Sequence, residues 1–548
     1  MMVKKNIAQI LVGIDSNTVL SGARKVKTKL ITEISKQGLS DQIAVIETGS
    51  IGPVNKGVVI GIYPTGEIYG NMSEEDVAEF VQERLVKGRP YKKRLLPERL
   101  PLEVDLSTYD PRRTQYVGRI VLDNCGRINP EDIEEYIGVG GYEALGIALK
   151  EKTPQEIISL VRDSGLRGRG GAGFPTGLKW SFAAREKETP KYVICNADEG
   201  EPGTFKDRLI MEGDPHKILE GMAICGYAIG ANTGYIYIRG EYQLSIQRLK
   251  KAIEDAEKLG LLGQNIFGTD FNFEVKIKIG AGSYVCGEET ALLNSMEGFR
   301  GEPRLKPPYP AESGFLSKPT NVNNVETLAN VAPIILKGAE WFRKFGTEDS
   351  PGTKVYTILG QINRPGLIEV PMGITLREII YDYAGGISTG EFKMVQLGGT
   401  AGDILSAELL DLPLDYKSLQ EVGHNLGSGA ILIMNESVSV VDLLKCGMKF
   451  FVHESCGRCS VCRIGTRQMY ESFQRLEKKI AYPDELENIE ELAKGLKLTA
   501  FCPLGQSVAT PVLSALKYFK AELSEGIKPH KIYKPAVRNQ SRAEIIYS

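Results

Sequence analysis

The stretch of this 548-residue chain with the clearest chemical potential runs from residue 164 to residue 208. Its first half is crowded with glycines, which carry no Cβ and let backbone N–H groups approach a phosphate or an aromatic ring closely. Basic side chains could assist there, and a polar loop after the next apolar run offers donors and acceptors for hydroxyl groups and ring edges. The stretch therefore predicts a site for a planar, phosphate-bearing cofactor. The candidate residues are Gly168, Gly170, Gly171, Gly173, Arg169, Lys179, Asn196, Asp198 and Glu201.

The same glycines match the dinucleotide pattern G-x-G-x-x-G, but their surroundings disfavour a Rossmann turn. A Rossmann fingerprint directly follows a buried strand. Here residues 157–165 predict a helix before the glycines, and the apolar run 192–195 predicts a strand after them. The alternative of a flexible surface loop is disfavoured by the basic and aromatic residues among the glycines.

Four cysteines in the C-terminal part have the spacing of an iron–sulfur site. Cys456, Cys459 and Cys462 form the pattern C-x2-C-x2-C, and Cys502 lies further along the chain. Three closely spaced thiolates with one distant thiolate suit a [4Fe–4S] cluster. The alternatives are zinc, which more often uses two C-x2-C pairs, and unligated core thiols. The spacing favours iron–sulfur.

Three further segments carry candidate ligands. Residues 280–292 combine glycines with two adjacent carboxylates, residues 300–311 are basic and rich in proline, and residues 321–327 predict the start of a helix that favours phosphate. Adjacent residues on a helix point about 100° apart, which disfavours a paired-carboxylate hydrolase. The side chains singled out in these segments are Tyr284, Gly287, Glu288, Glu289, Lys306, Tyr309, Asn323, Asn324 and Thr327, of which the last three are expected on one helical turn.

These motifs, in this order, resemble the flavin- and NADH-binding subunit of respiratory complex I. They also resemble the diaphorase subunits of NAD-linked [FeFe]-hydrogenases, formate dehydrogenases and electron-bifurcating complexes. The resemblance implies FMN and a [4Fe–4S] cluster as cofactors, with NAD(H) as substrate. Hydride would pass reversibly between the nicotinamide C4 and the flavin N5, and single electrons would pass to the cluster and on to partner subunits. No side chain is expected to act as a general acid or base.

The resemblance also implies which residues hold each group. Phe174 and Phe182 are expected to sandwich the nucleotide, Glu201 to bind the ribose hydroxyls and favour NADH over NADPH, and Glu199 to lie near the nicotinamide. Lys306 would contact the pyrophosphate and Tyr309 would stack on adenine. The cluster ligands would be Cys456, Cys459, Cys462 and Cys502. The residues expected to hold FMN are Gly168, Arg169, Gly170, Gly171, Lys179, Asn196, Asp198, Glu199, Tyr284, Gly287, Glu288, Glu289, Asn323, Asn324 and Thr327.

The elements that must position these residues predict a multidomain α/β fold. Strands are predicted at residues 7–13, 42–48, 57–63, 116–122, 192–195, 235–239, 273–279, 353–360, 366–370 and 393–398, with the main helices at 21–36, 73–87, 215–229, 242–259 and 375–384. The predicted units are a thioredoxin-like domain (1–90), a basic linker and the segment that follows it (91–150), a complex I 51 kDa-type domain for FMN and NADH (151–345), a ubiquitin-like β-grasp or SLBB-like domain (346–435), a helical bundle with the iron–sulfur cluster (436–525) and a polar tail (526–548).

The N-terminal unit resembles thioredoxin-like ferredoxin domains, which hold a [2Fe–2S] cluster with four cysteines. No cysteine precedes Cys125, and Asn17, Ser50 and Val54 stand where ligands would be expected. Valine cannot bind iron, and serine and asparagine replace thiolate poorly. The sequence therefore predicts a domain without a cluster, kept for docking or stability.

Composition limits the partners. A net charge of -2 gives no signal for nucleic acid or an anionic membrane, and no apolar run approaches the roughly 20 residues of a membrane span. Clustered cysteines indicate a reducing compartment, so a cytoplasmic location without direct membrane insertion is expected. The expected partners are NADH, a small [2Fe–2S] thioredoxin-like subunit and a larger iron–sulfur or hydrogenase subunit.

Three functional hypotheses follow. The run Cys462-Arg463-Ile464-Gly465-Thr466 and the cluster-free first domain favour a soluble hydrogenase-type complex, which could bifurcate electrons. The second hypothesis is the same subunit in membrane-bound complex I. The third is a non-catalytic scaffold that holds a cluster but no flavin.

Overall fold

The computed structural model of the chain describes residues 8–52, 54–99 and 119–528. Its strands form three sheets, each with its own buried apolar cluster. Helices cover the sheets, and the helices of the C-terminal part pack together around another cluster. No helix within the described ranges is long and apolar enough to cross a membrane.

The first sheet has the strand order β2-β1-β3-β4-β5, in which β1 pairs parallel to β2 and the other pairs are antiparallel. Ser73 caps α3 in a capping box with Asp76, at the start of the helix predicted from residue 73. The elements are β1 (Ala8–Gly13), α1 (Ser16–Leu20), α2 (Ala23–Lys36), β2 (Ile43–Thr48), β3 (Ile60–Tyr63), β4 (Glu67–Tyr69), α3 (Glu74–Phe80) and β5 (Leu95–Arg99).

Two predictions near the first domain were wrong. The basic linker contains strand β5, because Lys93 and Arg94 both pair with the buried carboxylate of Asp76 and return the chain to the open edge of β4. The strand predicted at residues 116–122 lies partly outside the described residues. Residues 120–122 are irregular, since their N–H groups donate to the Glu369 carboxylate at 2.8–2.9 Å instead of to a strand.

The second sheet, called here the flavin sheet, is wholly parallel in the order β8-β7-β6-β9. Behind it lies α9, which begins with a proline, ends at Gly230 in the left-handed region (φ 78°) and is buried almost throughout. The elements are α4 (Ile133–Gly138), α5 (Glu143–Glu151), α6 (Pro154–Asp163), α7 (Thr176–Arg185), β6 (Tyr192–Ala197), α8 (Lys206–Gly213), α9 (Pro215–Ile229), β7 (Thr233–Arg239), α10 (Gln243–Lys258), β8 (Glu274–Gly280), α11 (Glu289–Met296), α12 (Pro310–Ser313), β9 (Thr320–Asn324), α13 (Val325–Ala329), α14 (Val331–Lys337) and α15 (Ala339–Phe342).

Strand β9 corrects the prediction that Asn323, Asn324 and Thr327 share one helical turn. Asn323 lies in the strand, where it pairs with Cys195 of β6, and the helix begins only after Asn324. Local polar composition suggested a helix start, but the free edge of β6 recruits these residues into the parallel sheet. Asn324 then caps α13 by accepting from the N–H of Glu326 at 3.0 Å.

The third sheet and the C-terminal helices complete the chain. The sheet order is β11-β10-β14-β12-β13, and the sequence missed β13, β14 and α17. The predicted helix 375–384 is a short α16 followed by a wider turn of π type at 379–383. The elements are β10 (Thr353–Gly360), β11 (Gly366–Pro371), α16 (Leu376–Glu378), β12 (Phe392–Leu397), β13 (Asp403–Ser406), α17 (Tyr416–Glu421), β14 (Ala430–Asn435), α18 (Val440–Glu454), α19 (Ser460–Glu477), α20 (Glu485–Thr499), α21 (Pro503–Ser507), α22 (Ala509–Tyr518) and α23 (Lys520–Ser524).

Candidate functional site

The carboxyl ends of the flavin-sheet strands bring most of the predicted FMN residues to one edge. In a parallel sheet this edge is where ligands usually bind. Asp198 and Glu199 follow β6, Asn324 ends β9, and Tyr284 follows β8. Asn196, the next-to-last residue of β6, donates to the carbonyl of Gly287 at 2.9 Å, which ties the β6 end to the turn before α11. The topology therefore assembles a site from segments that are far apart in sequence.

The glycine-rich loop lies directly against this edge. The N–H of Arg169 donates to Thr327 Oγ1 at 2.9 Å, and a Cβ on Gly170 would lie 3.0 Å from the Cβ of Asn324. Gly171 has φ 127°, a backbone conformation that favours glycine. From the third-sheet region, Tyr416 donates its hydroxyl to the carbonyl of Gly168 at 2.8 Å. The glycines thus let the loop backbone approach neighbouring side chains closely.

The Arg169 side chain is bonded to the backbone of its own chain. Its guanidinium is fully buried and donates to the carbonyls of Arg167, Pro351 and Thr353 at 2.8–3.1 Å. These three hydrogen bonds engage each of the three guanidinium nitrogens, Nε, Nη1 and Nη2. Arg169 therefore fixes the glycine loop to the start of β10, and the expectation of a direct phosphate contact is corrected.

Behind Asn324 lies a buried ion network made of Lys206, Asp207, Glu326 and Lys354. The Lys206 ammonium lies 2.6 Å from Asp207 and 2.9 Å from Glu326, and Lys354 lies 2.6 Å from Glu326. Asp207 also accepts from the Asn324 amide at 2.7 Å. Burial alone would raise the pKa of Glu326, but the two ammonium groups outweigh it and lower that pKa. Every charge in this network therefore has an opposite charge in contact with it.

Asp198 is the opposite case. Its carboxylate is buried, and neither oxygen has a hydrogen-bond partner among the described residues. The nearest cation is Arg239, at 3.8 Å. Burial raises the pKa of Asp198 to about 7. A buried acceptor without donors, beside the Gly287 turn, is what hydroxyl or N–H groups of a bound cofactor would satisfy. This orphaned carboxylate fits the predicted FMN site.

Glu199 and Glu201, by contrast, are already bonded. Glu199 accepts from the N–H groups of Asp207 and Arg208 at 2.8 and 3.0 Å, so it caps the start of α8. Glu201 accepts from the N–H of Ala401 at 3.0 Å and from the Tyr284 hydroxyl. Burial raises the pKa of both carboxyl groups. The predicted contact of Glu201 with a ribose would have to share or displace these donors.

The aromatic residues expected around the nucleotide are exposed. Phe174 and Phe182 are 45% and 39% exposed, and Tyr309 is 54% exposed. The two phenylalanine rings contact each other, with centroids 6.4 Å apart and planes tilted by 50°. Because the rings already touch and are not parallel, a base would not fit between them in this structure. A sandwich of the nucleotide between the two rings therefore does not fit their arrangement in this structure.

Basic and acidic residues form a second charged group near α11. Lys179 and Lys306 each lie 2.9 Å from Glu289, and Lys306 also lies 2.9 Å from Glu288. Burial alone would raise the pKa of Glu289, but the two lysines lower it to about 2. Glu288 also caps α11 by accepting from the N–H of Thr290 at 2.9 Å. The structure thus brings together these four predicted site residues.

The four predicted cluster ligands converge between the α18–α19 loop and the start of α21. Cys462 and Cys502 are buried, Cys456 and Cys459 are partly exposed, and all four pack against the same apolar cluster. Burial raises the pKa of the Cys462 thiol, and the three neighbouring cysteines act in the same direction. A Cβ on Gly505 would lie 3.3 Å from Cys462 Sγ, so this glycine lets the Cys502 segment come close.

This donor set fits a cluster of four irons, each of which takes one thiolate from the protein. Within the described ranges, no group of three or more His, Cys, Asp or Glu side chains is arranged so that it could itself hold a metal ion. We therefore keep the four thiols as proposed ligands of one cluster.

Several residues of the site could not be recognised from sequence. Lys206 stands in a Lys-Asp-Arg run that is typical of a solvated helix face, yet it is buried. Lys354, Arg239 and Tyr416 come from segments with no motif. The one usable signal was a lysine inside the apolar run that forms β10, because a buried lysine requires a nearby carboxylate.

Three known families match parts of the chain. Residues 161–333 match the Nuo51 FMN-binding domain, residues 355–402 match the SLBB domain, and residues 442–526 match the NADH-ubiquinone oxidoreductase-F iron-sulfur binding region. These matches confirm the predicted FMN-binding, SLBB-like and helical iron–sulfur parts of the fold, and with them the two predicted cofactors.

Two curated relatives and one solved structure cover most of the chain. The NADP-reducing hydrogenase subunit HndC of Solidesulfovibrio fructosivorans is 51% identical over 414 residues, which span 75% of this chain and 84% of HndC. The F 2 subunit of NADH-quinone oxidoreductase from Rhizobium meliloti (strain 1021) is 48% identical over 413 residues, which span 75% of this chain and 98% of that protein. A crystal structure of NAD+-reducing [NiFe]-hydrogenase in the H2-reduced state matches 96% of this chain and 85% of the compared chain, with 30% identity and a TM-score of 0.67. The chain therefore belongs to the family of FMN- and NADH-binding subunits that includes the F subunits of NADH-quinone oxidoreductases and the hydrogenase subunit HndC.

Proposed function

We propose that the chain is the NADH-oxidising diaphorase subunit of a multi-subunit oxidoreductase of the hydrogenase type. The observation that carries the proposal is the buried, unpartnered carboxylate of Asp198 at the carboxyl edge of the flavin sheet, beside the glycine-rich loop. Bound FMN would take hydride from NADH, and a bound [4Fe–4S] cluster would pass single electrons to a partner. The side chains bind, orient and exclude water.

The FMN site would be built from two kinds of contact. Gly170, Gly171 and Asn324 line the side next to the ion network, where the backbone can approach a phosphate or a ring. Asp198 and Asn196 line the side next to the Gly287 turn, where Asp198 would accept hydrogen bonds from the cofactor. We infer that FMN lies between these two sides.

The nucleotide would enter over the exposed phenylalanines. Adenine would stack on the outer face of Phe174 or Phe182, and Tyr309 offers a third exposed ring. The Lys306 ammonium, now bonded to two carboxylates, would be shared with the pyrophosphate. Glu201 would accept from the ribose hydroxyls and disfavour a 2′-phosphate, so we propose a preference for NADH.

The flavin side and the cluster side of the chain are in direct contact. The N–H of Tyr284 donates to the Glu454 carboxylate at 2.9 Å, and Glu454 is the last residue of α18, just before the cysteine triplet. Arg300 also donates to the carbonyl of Cys456 at 2.6 Å. These contacts support a short route for electrons from the flavin site to the cluster.

The proposed partners are a small [2Fe–2S] thioredoxin-like subunit and a larger iron–sulfur or hydrogenase subunit in the cytoplasm. The relatives named above are subunits of hydrogenase or quinone-reducing assemblies by their names. Membrane-bound complex I is the second candidate, since the Rhizobium meliloti protein is nearly as similar as HndC. The subunits that co-purify with the native chain separate the two.

An anaerobic absorbance titration of the purified, FMN- and cluster-loaded chain tests the function. We expect NADH to bleach the flavin band at low concentration and the cluster absorbance to fall after it, with NADPH much less effective. A Cys459→Ala variant should keep flavin bleaching but lose the cluster signal, whereas the exposed Cys446→Ala control should keep both. Absence of FMN binding would contradict the proposal, and equal bleaching by NADPH would contradict the role of Glu201.

A further inference from the structure

The N-terminal domain rests on the flavin domain through the loops that, in a ferredoxin, would hold the cluster. Ser16 donates its N–H to the Glu212 carboxylate at 3.0 Å, and its hydroxyl donates to the same group. The loops around Asn17, Ser50 and Val54 line a narrow enclosed pocket without a cysteine. The contact is thus made by the part of the domain whose metal chemistry is missing.

Arg248 joins the two domains at one buried point. Its guanidinium is essentially unexposed and donates to the carbonyls of Ile14 and Glu212 at 2.9 and 2.5 Å. It also contacts the carboxylates of Glu47 and Glu131 at 3.1 and 3.3 Å. Since Ile14 and Glu47 belong to the N-terminal domain, a single arginine of α10 holds two of its segments against the end of α8.

The two backbones touch where Gly49 meets Gly213. A Cβ on Gly49 would lie 2.7 Å from the Cα of Gly213, which is closer than side-chain carbons approach a backbone. Gly49 has no positive φ, so alanine would fit the domain itself and clash only across the interface. The contacts of Ile14, Ser16, Glu47 and Gly49 with Glu212, Gly213 and Arg248 form the interface between the domains, called here the seam. The seam is close-packed, so one added methyl group should disturb it.

Helix α8 connects this seam to the candidate FMN site. Glu212 and Gly213 lie at its end next to the N-terminal domain, while Asp207 lies in its first turn. That first turn donates N–H groups to Glu199, and Asp207 holds the amide of Asn324. Every residue of α8 except Arg208 is buried against its neighbours. A movement of the helix at its Glu212 end would therefore be transmitted to its Asp207 end.

We propose that the N-terminal domain is a clamp that fixes α8 and thereby positions Glu199 and Asn324 for FMN. The proposal rests on the proposed function in one respect, namely that FMN binds beside these two residues. It explains why a ferredoxin-like domain persists without cluster ligands: its loops now serve as a docking surface within the same chain. Glu212 and Arg248 are then positioning residues, since they act on the cofactor site through α8.

The test compares two glycine variants of the same loop in the full-length, cluster-loaded chain. Gly49→Ala should push the domains apart, whereas Gly52→Ala places a Cβ at an ordinary 3.6 Å from Val59 and serves as the matched control. We expect Gly49→Ala to raise the FMN dissociation constant at least fivefold and to shift the flavin midpoint potential. Gly52→Ala should leave both at the wild-type values. FMN fluorescence titration and spectroelectrochemistry measure them.

Two further variants keep the test decisive. Val26→Ala removes packing from the N-terminal core without touching the seam, so a merely structural role predicts that it acts like Gly49→Ala. If Gly49→Ala fails to fold, Ser16→Ala removes one hydroxyl contact at the same seam and should raise the dissociation constant about threefold. Wild-type FMN affinity in the folded seam variant overturns the clamp, whereas a wild-type chain that binds no FMN overturns the proposed function instead.

Discussion

The two sides of the candidate FMN site treat buried charge in opposite ways. On one side, Lys206, Glu326 and Lys354 form contacts of 2.6–2.9 Å in which each charge meets an opposite charge. On the other side, the Asp198 carboxylate is buried with no hydrogen-bond partner within the described ranges and with its nearest cation 3.8 Å away. The first side is complete without a ligand, and the second is not.

This difference separates two tasks that are usually described together. The ion network holds Asn324 and the start of α8 in place, so the geometry of the site exists before the cofactor arrives. The buried carboxylate of Asp198 lowers the stability of the FMN-free chain, and a hydrogen bond from a donor on the cofactor would offset this loss. Substitutions on the two sides should therefore change the stability of the FMN-free chain in opposite directions.

The largest effect is expected from Glu326→Gln. The change leaves the Lys354 ammonium buried without its counter-charge and Lys206 with Asp207 alone, so the free energy of unfolding should fall by about 3–5 kcal/mol. Denaturant unfolding of the FMN-free chain measures it. Glu188→Gln, which loses only the exposed pair with Lys318, is the control and should cost about 1 kcal/mol or less. A similar small loss for both would break the comparison.

Asp198→Asn should act in the other direction. At pH 8 the ionised Asp198 opposes folding of the FMN-free chain, because burial raises its pKa to about 7. The neutral amide should raise the free energy of unfolding by about 2 kcal/mol at that pH. The same variant should bind FMN about tenfold more weakly, because a neutral amide oxygen accepts hydrogen bonds less strongly than a carboxylate does. A variant that is less stable without FMN would contradict the assignment.

The pH dependence of stability gives an independent measure of the same carboxylate. Between the ordinary pKa of 3.8 and the raised value of about 7, the folded chain binds more protons at Asp198 than the unfolded chain does. The contribution of Asp198 to the free energy of unfolding must therefore fall as pH rises through this window. Burial also raises the pKa of Glu199 to about 7, so Glu199 changes the free energy of unfolding with pH in the same direction. In Asp198→Asn the free energy of unfolding should fall less steeply with rising pH. A slope equal to that of the wild type would contradict the raised pKa assigned to Asp198.

A smaller loss is expected from Lys354→Met. Glu326 keeps the Lys206 ammonium at 2.9 Å, and methionine fills much of the space of the lysine stem. Burial lowers the pKa of Lys354 to about 8 even beside Glu326. The ion pair with Glu326 therefore offsets only part of the free energy needed to bury the charged ammonium. We expect a loss of about 1.5 kcal/mol, less than for Glu326→Gln. Denaturant unfolding of the two variants side by side checks the order.

The smallest effect should come from Tyr416→Phe. The hydroxyl donates a single hydrogen bond to the carbonyl of Gly168, so its loss should cost about 1 kcal/mol. The ring still packs against Gly173 and under the Arg167 guanidinium, 4.4 Å from its centroid. Thermal unfolding should show the loss without a change in the Asp198-dependent pH slope. A changed slope would mean that the two sides are coupled.

The sequence predicted those parts of the site whose signal is local. The glycine loop, the cysteine spacing and the helix 215–229 are each written in a short stretch, and the structure has them there. Asn323 was misplaced because its strand exists only by pairing with β6. Arg169 was misassigned because its acceptors lie at Pro351 and Thr353, nearly two hundred residues away. Partners at that distance leave no periodic trace in the sequence.

The long-range contacts of the glycine loop also bear on how the chain is made. The Arg169 fork is anchored at Pro351 and Thr353, and the Gly168 carbonyl takes its hydrogen bond from Tyr416. While the ribosome is still adding the third sheet, the loop has been translated but lacks these anchors. Its final shape waits for residue 416 to leave the exit tunnel. A flavin site that depends on this loop would therefore be complete only after the third sheet has been made, later in synthesis than the strands of the parallel sheet.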